Sequence, residues 1–211
     1  MTIAPIPKAD AADSTSAARV VALYLPQYHP IPENDEMWGA GFTEWRTVAR
    51  ARALYPGHAQ PRRPMDLGYY DLRVPEVRMA QAEMASRAGI EAFCYYHYWF
   101  GGRRLLQRPF DEVLKHGQPG FPFCLCWANE SWTGVWVGRP EQVVMEQVYP
   151  GLEDQRAHWA YLRNAFADPR YLRIDGRPVF FVYRPAKIPD VNRYVDFWRE
   201  QALADGFPGL H

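Results

Sequence analysis

The segment Phe121-Pro-Phe-Cys-Leu-Cys-Trp-Ala-Asn-Glu-Ser-Trp-Thr-Gly-Val-Trp136 joins a short apolar run to an Asn-Glu pair between tryptophans. The run has the length and the bounding turn residues of a buried strand that ends near Trp127. Asn129 and Glu130 would then follow its carboxyl end. Aromatic rings stack on sugars, and a partly desolvated carboxylate can act as acid or base. Taken alone, the segment fits a solvated loop glutamate beside core tryptophans better, so the rest of the chain has to decide.

Three further apolar runs predict strands, and each is followed at once by polar or aromatic side chains: residues 20–25, 90–96 and 179–183. Helical patterns lie between them, at residues 75–88, 154–167 and 192–203, with a weaker one at 109–115. Strands that alternate with helices predict a parallel sheet.

We predict an α/β fold of the (β/α)8 TIM-barrel type. A barrel brings every strand's carboxyl end to one face, which suits four strand ends that all carry candidate site residues. An open sheet would concentrate its site at one switch point, and neither nucleotide-binding fingerprint is present. Because a barrel needs about eight strands, we expect residues 19–211 to supply only its N-terminal half, with residues 205–211 leading into a fifth strand. Residues 1–18 are expected to be a disordered leader.

Composition excludes several classes of partner. The chain has 24 basic and 24 acidic residues, so it lacks the charge footprint of a nucleic-acid-binding protein. No apolar stretch approaches a membrane span or a signal peptide, which predicts no membrane insertion and a cytoplasmic location. The three cysteines are expected to be buried thiols. We predict no cofactor and no metal site.

Four motifs carry a resemblance to a known family. They are Leu-Pro-Gln-Tyr-His-Pro-Ile-Pro-Glu-Asn-Asp (25–35), Trp-Gly-Ala-Gly-Phe-Thr-Glu-Trp (38–45), Tyr-Tyr-His-Tyr-Trp-Phe (95–100) and Cys-Trp-Ala-Asn-Glu-Ser-Trp-Thr (126–133). Together they resemble the WbsX family of bacterial polysaccharide-biosynthesis proteins, which is similar to glycoside hydrolase family 99. The resemblance implies a barrel longer than this chain, a role in O-antigen or lipopolysaccharide biosynthesis, and association with polysaccharide-assembly glycosyltransferases.

The resemblance places the family's strand-end glutamate on Glu130. The second carboxylate that works beside it in the hydrolases is absent here, since Ser131, Trp132 and Thr133 follow. Hydrolysis normally needs two carboxyl groups, one to protonate the leaving oxygen and one to assist attack. Glu44 is the best candidate for the second catalytic group, although a structural role in capping a turn is equally compatible with its position.

Twelve further residues are expected to contact the substrate: Tyr24, Gln27, His29, Trp45, Tyr95, Tyr96, His97, Trp99, Trp127, Asn129, Trp132 and Tyr183. A structural role for His97 has equal weight, and one of the three tryptophans Trp99, Trp127 and Trp132 is expected to be packing instead. Phe181 is expected in the core.

These features favour a carbohydrate-active enzyme that cleaves or transfers glycosyl units of surface polysaccharide, with a glycan or oligosaccharide as its substrate. The alternative is a non-catalytic glycan-binding barrel domain, because the carboxylate pair is incomplete. A weaker third interpretation is a scaffold protein whose aromatic residues are mostly core.

Overall fold

The computed structural model describes residues 18–134 and 139–211. The elements are, in chain order, β1 (Val21–Tyr24), α1 (Pro32–Trp38), α2 (Glu44–Arg50), α3 (Pro75–Arg87), β2 (Ala92–His97), α4 (Arg108–His116), β3 (Phe123–Trp127), β4 (Trp132–Gly134), β5 (Arg139–Met145), α5 (Leu152–Phe166), β6 (Arg173–Ile174), β7 (Arg177–Pro178), β8 (Phe180–Val182) and α6 (Val191–Ala204). The predicted leader, residues 1–18, lies outside the described residues except for Ala18.

The main sheet has four parallel strands in the order β1-β2-β3-β8, with at least one helix between each strand and the next. Neighbours in the sheet follow the order of the chain, as in a barrel, whereas an open doubly wound sheet reverses its order at a switch point. The predicted α/β fold of the TIM-barrel type is therefore confirmed. At the far edge, the backbone N–H of His211 donates to Pro178 at 2.9 Å, and that of Phe180 donates to His211 at 2.9 Å. Residues 205–211 thus lead to a backbone that pairs beside β8, as the sequence predicts.

The main helices begin and end within two residues of their predicted limits, because proline and glycine mark their ends. Pro75 opens α3, and α4 ends at Gly117, whose φ of 69° is costly for any residue with a side chain. The start of α6 is capped by Asp190, whose carboxylate accepts a hydrogen bond from the backbone N–H of Arg193.

One face of the sheet is covered by helices and forms the core. Tyr24, Tyr95 and Leu125 pair across three strands and share this face, since parallel partners point to the same side. The hydroxyl of Tyr24 donates to Gln81 on α3 at 2.6 Å, and the ring of Tyr95 lies 5.2 Å from that of Phe110 on α4. Side chains on this face are therefore held between sheet and helices.

The opposite face corresponds to the interior of a barrel. Leu23, Cys94 and Cys124 share it, and the two thiols are buried while Leu23 is 65% exposed. Phe181, which was expected in the core, also lies on this face and is 47% exposed. That expectation was wrong because hydrophobicity alone does not tell which face of a strand a residue occupies.

An antiparallel hairpin of β4 and β5 follows β3, and it was not predicted from the sequence. In this hairpin, Gln142 lies with its Nε2 3.0 Å from the sulfur of Met37 on α1. An ion pair of 2.7 Å between Arg103 and Glu33 ties the loop after β2 to the same helix. The segments that follow β1, β2 and β3 thus contact one another beyond the carboxyl ends of the strands.

Within the described part of the chain, no helix combines the length and the apolar character that crossing a bilayer requires.

Candidate active site

Glu130 lies three residues beyond the end of β3, and its side chain is 46% exposed. Its Oε2 accepts a hydrogen bond of 2.7 Å from Nε of Arg184, which follows β8 and is 49% exposed. A charge-assisted hydrogen bond of this kind fixes the position of the carboxylate. The ion pair therefore holds Glu130 beyond the end of β3, where its oxygens can accept hydrogen bonds or stabilise positive charge.

Asn129 holds the ends of β3 and β8 together. It is fully buried, its Oδ1 accepts from the backbone N–H of Arg184 at 2.8 Å, and its Nδ2 donates to the carbonyl of Arg184 at 2.8 Å. Nδ2 also lies 3.0 Å from the hydroxyl of Tyr149. Asn129 acts as a clamp that fixes the backbone on either side of the Glu130–Arg184 pair, so its side chain is not free for substrate.

Tyr96 and Tyr183 border the same carboxylate. Their rings meet edge to face with centroids 6.2 Å apart, and Tyr183 is 46% exposed. Partial burial raises the pKa of Tyr96, and the negative charge of Glu130 adds to this effect. The raised pKa keeps Tyr96 a hydrogen-bond donor, and Tyr183 offers exposed ring surface for stacking.

Glu44, at the start of α2, occupies a different environment from Glu130. Its Oε2 is buried and has no hydrogen-bond partner among the described residues. Burial raises the pKa of Glu44, an effect that its own backbone N–H partly offsets. A carboxyl group in this state keeps its proton at higher pH and suits the role of general acid.

Glu44 is linked to the end of β2 through Tyr98, whose raised pKa reflects burial first and includes the charge of Glu44. The hydroxyl of Tyr98 accepts from Nε2 of Gln27 at 3.1 Å, and its ring stacks on Trp132 at 6.1 Å. Tyr98 therefore brings the predicted residues Glu44, Gln27 and Trp132 together. Tyr96, two positions earlier in the chain, is linked to Glu130 through the ring of Tyr183, over which Arg184 lies with its Cζ 5.1 Å from the ring centroid. The two carboxyl groups therefore both lie near the end of β2.

Several predicted site residues lie on the helix side of the sheet. Tyr24, Tyr95, His97 and Trp127 are each at most 9% exposed. Nε2 of His97 lies 2.8 Å from Nε2 of His158 on α5, and the structural role of His97 is the one that its contacts support. The indole of Trp127 packs against α6. None of the four faces Glu130, because each alternates with a residue on the opposite face.

Three further predicted site residues are also buried or bonded within the protein: Trp99, His29 and Trp45. Trp99 donates to Asp154 at 3.0 Å and stacks on His158, which makes it a packing tryptophan together with Trp127. His29 is 1% exposed, and burial lowers its pKa to about 4. Trp45 is half-buried and donates to the carbonyl of Tyr70 at 2.8 Å.

Comparison with known proteins identifies the family of this chain. A family model described as Glycosyltransferase WbsX matches residues 20–211. This chain belongs to the WbsX family. The resemblance found from the four sequence motifs is thereby confirmed.

Two curated proteins that are similar in sequence to this WbsX chain are both named Uncharacterized protein WxcX. They come from Xanthomonas campestris pv. campestris, strains B100 and ATCC 33913, and each is 45% identical over 197 residues. The match covers 93% of this chain and 28% of each relative, so the chain spans less than a third of their length.

Two solved structures are similar to the WbsX chain. One, named Glycoside hydrolase-like protein, is 16% identical with a TM-score of 0.56, and the match covers 99% of this chain and 53% of that one. The GH99 endo-alpha-mannosidase from Bacteroides thetaiotaomicron is 18% identical with a TM-score of 0.46, over 79% of this chain and 45% of that one. The likeness to the first concerns the fold, and this chain corresponds to about half of it, as a partial barrel requires.

Two residues that were not predicted as site residues from the sequence, Arg184 and Tyr98, also belong to the candidate site. Tyr98 directly follows β2 and Arg184 lies two residues beyond β8, which is the signal that could have found them. Among the described residues, no group of three or more His, Cys, Asp or Glu side chains is placed to hold a metal ion. The candidate site holds two carboxyl groups, a guanidinium and phenols.

Proposed function

We propose that this protein is a carbohydrate-active enzyme that cleaves or transfers glycosyl units of bacterial surface polysaccharide. One observation carries the proposal: two carboxyl groups in contrasting environments lie near the end of β2. Glu130 is exposed and paired with Arg184, whereas Glu44 is half-buried with a raised pKa. A pair of carboxyl groups in different environments is the usual equipment of glycosyl chemistry.

The proposed roles follow from these environments. Glu44 donates its proton to the glycosidic oxygen as the bond from the anomeric carbon to that oxygen breaks. Glu130 stabilises the positive charge on the sugar ring and takes the proton of the hydroxyl group that attacks the anomeric carbon. Loss of that proton from Glu130 and uptake of one by Glu44 restore the site. Water as the attacking group gives hydrolysis, and a sugar hydroxyl gives transfer.

The aromatic residues supply the binding surface. Tyr183 is exposed at the end of β8, and Trp132 is half-buried on the hairpin and stacks on Tyr98. A ring that is already supported on one face offers its other face to a pyranose at little cost in side-chain entropy. We propose that Trp132 and Tyr183 hold the sugar residues on either side of the bond that reacts.

A non-catalytic glycan-binding domain is the second candidate. It is favoured by Ser131, Trp132 and Thr133, which stand where the related hydrolases have their second carboxylate. In this version, Glu130 and Arg184 bind hydroxyl groups, and the raised pKa of Glu44 is a consequence of packing alone. O-antigen or lipopolysaccharide as the product, association with assembly glycosyltransferases and a cytoplasmic location stay predictions.

The deciding experiment replaces Glu130 with Gln and measures both turnover and binding. Purified bacterial surface polysaccharide serves as the probe, with sugar release and incorporation of labelled sugar as the two activity readouts. We expect E130Q to lose turnover at least about 100-fold and to keep binding, because the amide preserves shape but cannot take up a proton. The control variant E83Q changes an exposed carboxylate on α3, on the helix side of the sheet. Turnover of E130Q equal to that of E83Q would refute the assignment, and binding without any turnover by the wild type would establish the second candidate.

A further inference from the structure

A second concave region lies beside the strand-end site, between the N-terminal halves of α5 and α6. This groove has a volume of about 600 Å³. The volume falls within the range of roughly 300–1,000 Å³ that is typical of small-molecule sites. Tyr149 and Gln155 line it on one side, and Arg193, Phe197 and Glu200 on the other. None of these residues takes part in the chemistry proposed above.

Tyr149 connects the groove to the candidate active site. Its hydroxyl lies 3.0 Å from Nδ2 of Asn129 and 3.3 Å from the carbonyl oxygen of the same residue. Asn129 directly precedes Glu130. A glycan that lies along the groove would therefore approach Glu130 over the ring of Tyr149, without crossing the covered face of the sheet.

The lining of the groove has the composition that sugars require. Sugar hydroxyls both donate and accept hydrogen bonds, and the groove supplies Arg193 and Gln155 as donors and Asp190 and Glu200 as acceptors. Phe197 is half-buried in the wall and offers apolar surface. Both charge signs are present, so the groove fits a neutral polyhydroxylated ligand better than a polyanion.

Tyr194 adds a polar group at the base of the groove. This residue is 4% exposed, and its hydroxyl has no hydrogen-bond partner among the described residues. Its ring is held by Trp198, with centroids 5.0 Å apart, and by Trp127 at 5.7 Å. A buried hydroxyl without a partner destabilises the folded protein, and a ligand that bonds to it recovers part of that cost.

From these observations we infer that the groove is an extended glycan subsite, which binds further sugar residues of a chain whose reacting residue lies at Glu130. The inference rests on the proposed function and adds to it that the preferred substrate is a glycan of several sugars. The groove binds the part of the glycan that is not transformed, so its contribution appears as affinity for long glycans.

The test compares glycan length with groove variants. An array of defined bacterial oligosaccharides identifies a glycan that the wild-type protein binds, and calorimetry then compares its disaccharide with its hexasaccharide. We expect the hexasaccharide to bind the wild type at least about tenfold more tightly, and the double variant R193A/E200Q to lose that advantage. Binding of the disaccharide stays unchanged, because Arg193 and Glu200 do not contact the Glu130 site.

The double variant R199A/E153Q is the matched control, since both residues are exposed on the same two helices but do not line the groove. Equal affinity for both lengths, or equal binding by the groove and control variants, would overturn the inference while the proposed function stands. If another protein segment covered the groove in the native assembly, the groove and control variants would also bind equally, and the inference would be overturned in that case too. Failure of the wild type to bind any glycan would overturn both.

Discussion

The imidazole rings of His97 and His158 share a hydrogen bond of 2.8 Å between their two Nε2 atoms, in the interior between β2 and α5. One ring must donate and the other accept, so the pair requires opposite tautomers and no extra proton. Burial lowers the pKa of His97 to about 3 and that of His158 well below its usual value, and the charge of Arg104 adds to the effect on His97. Both histidines are therefore neutral in the folded protein at neutral pH.

The first prediction is that the fold is sensitive to mild acid. In the unfolded chain these histidines take up protons near pH 6.5, whereas in the folded protein the pKa of His97 is lowered to about 3 and that of His158 lies well below its usual value. Their stabilising contribution is therefore complete above about pH 6.5 and is lost as the pH falls towards 3. The free energy of unfolding should fall by about 1.4 kcal/mol per pH unit for each such histidine.

Denaturant titrations at several pH values measure this slope. The variant H158Q should be less stable at neutral pH but should show a flatter acid dependence than the wild type. The variant H116Q, at an exposed position in α4, should keep the wild-type slope. A slope in H158Q as steep as that of the wild type would show that the pair is not its source.

A second prediction concerns Glu44 and the loss of stability and turnover as the pH rises. Because burial raises the pKa of Glu44, its neutral form is favoured by folding. This contribution to stability is full below the pKa of the unfolded chain, about 4.3, and is lost as the pH rises through the raised folded value. Turnover that needs Glu44 as an acid should fall over the same upper range.

The variant E44Q should remove that loss of stability at rising pH and should lower turnover at every pH. Rate profiles and melting curves on the same samples check both effects. E36Q, an exposed position on α1, serves as the control. If E44Q kept the wild-type rate, the acid would have to be another group.

The third prediction tests the clamp formed by Asn129. Replacing it with Ala removes both hydrogen bonds of 2.8 Å to the backbone of Arg184, so the N–H of Arg184 loses its side-chain partner while its carbonyl keeps the hydrogen bond from the backbone N–H of Lys187. We expect a loss of about 1–3 kcal/mol in the free energy of unfolding, together with reduced turnover because the Glu130–Arg184 pair loses its support. N192A, at an exposed position of α6, should change neither quantity. Equal stability of N129A and N192A would show that Asn129 does not act as a clamp.

The fourth prediction separates two tryptophans of one motif. Trp127 is fully buried, so W127A should cost about 3–5 kcal/mol of stability. Trp132 is half-buried on the hairpin, so W132A should weaken glycan binding with a much smaller loss of stability. Thermal melts and calorimetry on both variants check the contrast. Equal loss of stability in W132A would mean that its ring is part of the packing.

The sequence predicted the parallel sheet and four helices because apolar runs and their proline and glycine limits are local signals. It could not divide the strand-end residues between the two faces. Tyr95 and His97 point to the helices and Tyr96 to the site, yet all three look alike as polar aromatics at the end of one strand. The alternation of a strand assigns them only once one member is fixed by a contact, such as that of His97 with His158.

Long-range partners were equally hidden from the sequence. Arg184 is 54 positions from Glu130 and pairs with it only because β3 and β8 are neighbours. The hairpin of β4 and β5 was missed because its strands are short and its partner contacts are distant in sequence. Local patterns therefore predict the scaffold, whereas the ion pair between Glu130 and Arg184 depends on the order of the strands in the sheet.

The uncovered face of the sheet has a practical consequence. Leu23 and Phe181 present apolar side chains to solvent at 65% and 47% exposure, on a surface that would line the inside of a closed barrel. Surfaces of this kind adhere to hydrophobic dyes and to one another. Residues 18–211 on their own should therefore brighten anilinonaphthalene sulfonate, and charged replacements at these two positions should reduce that fluorescence.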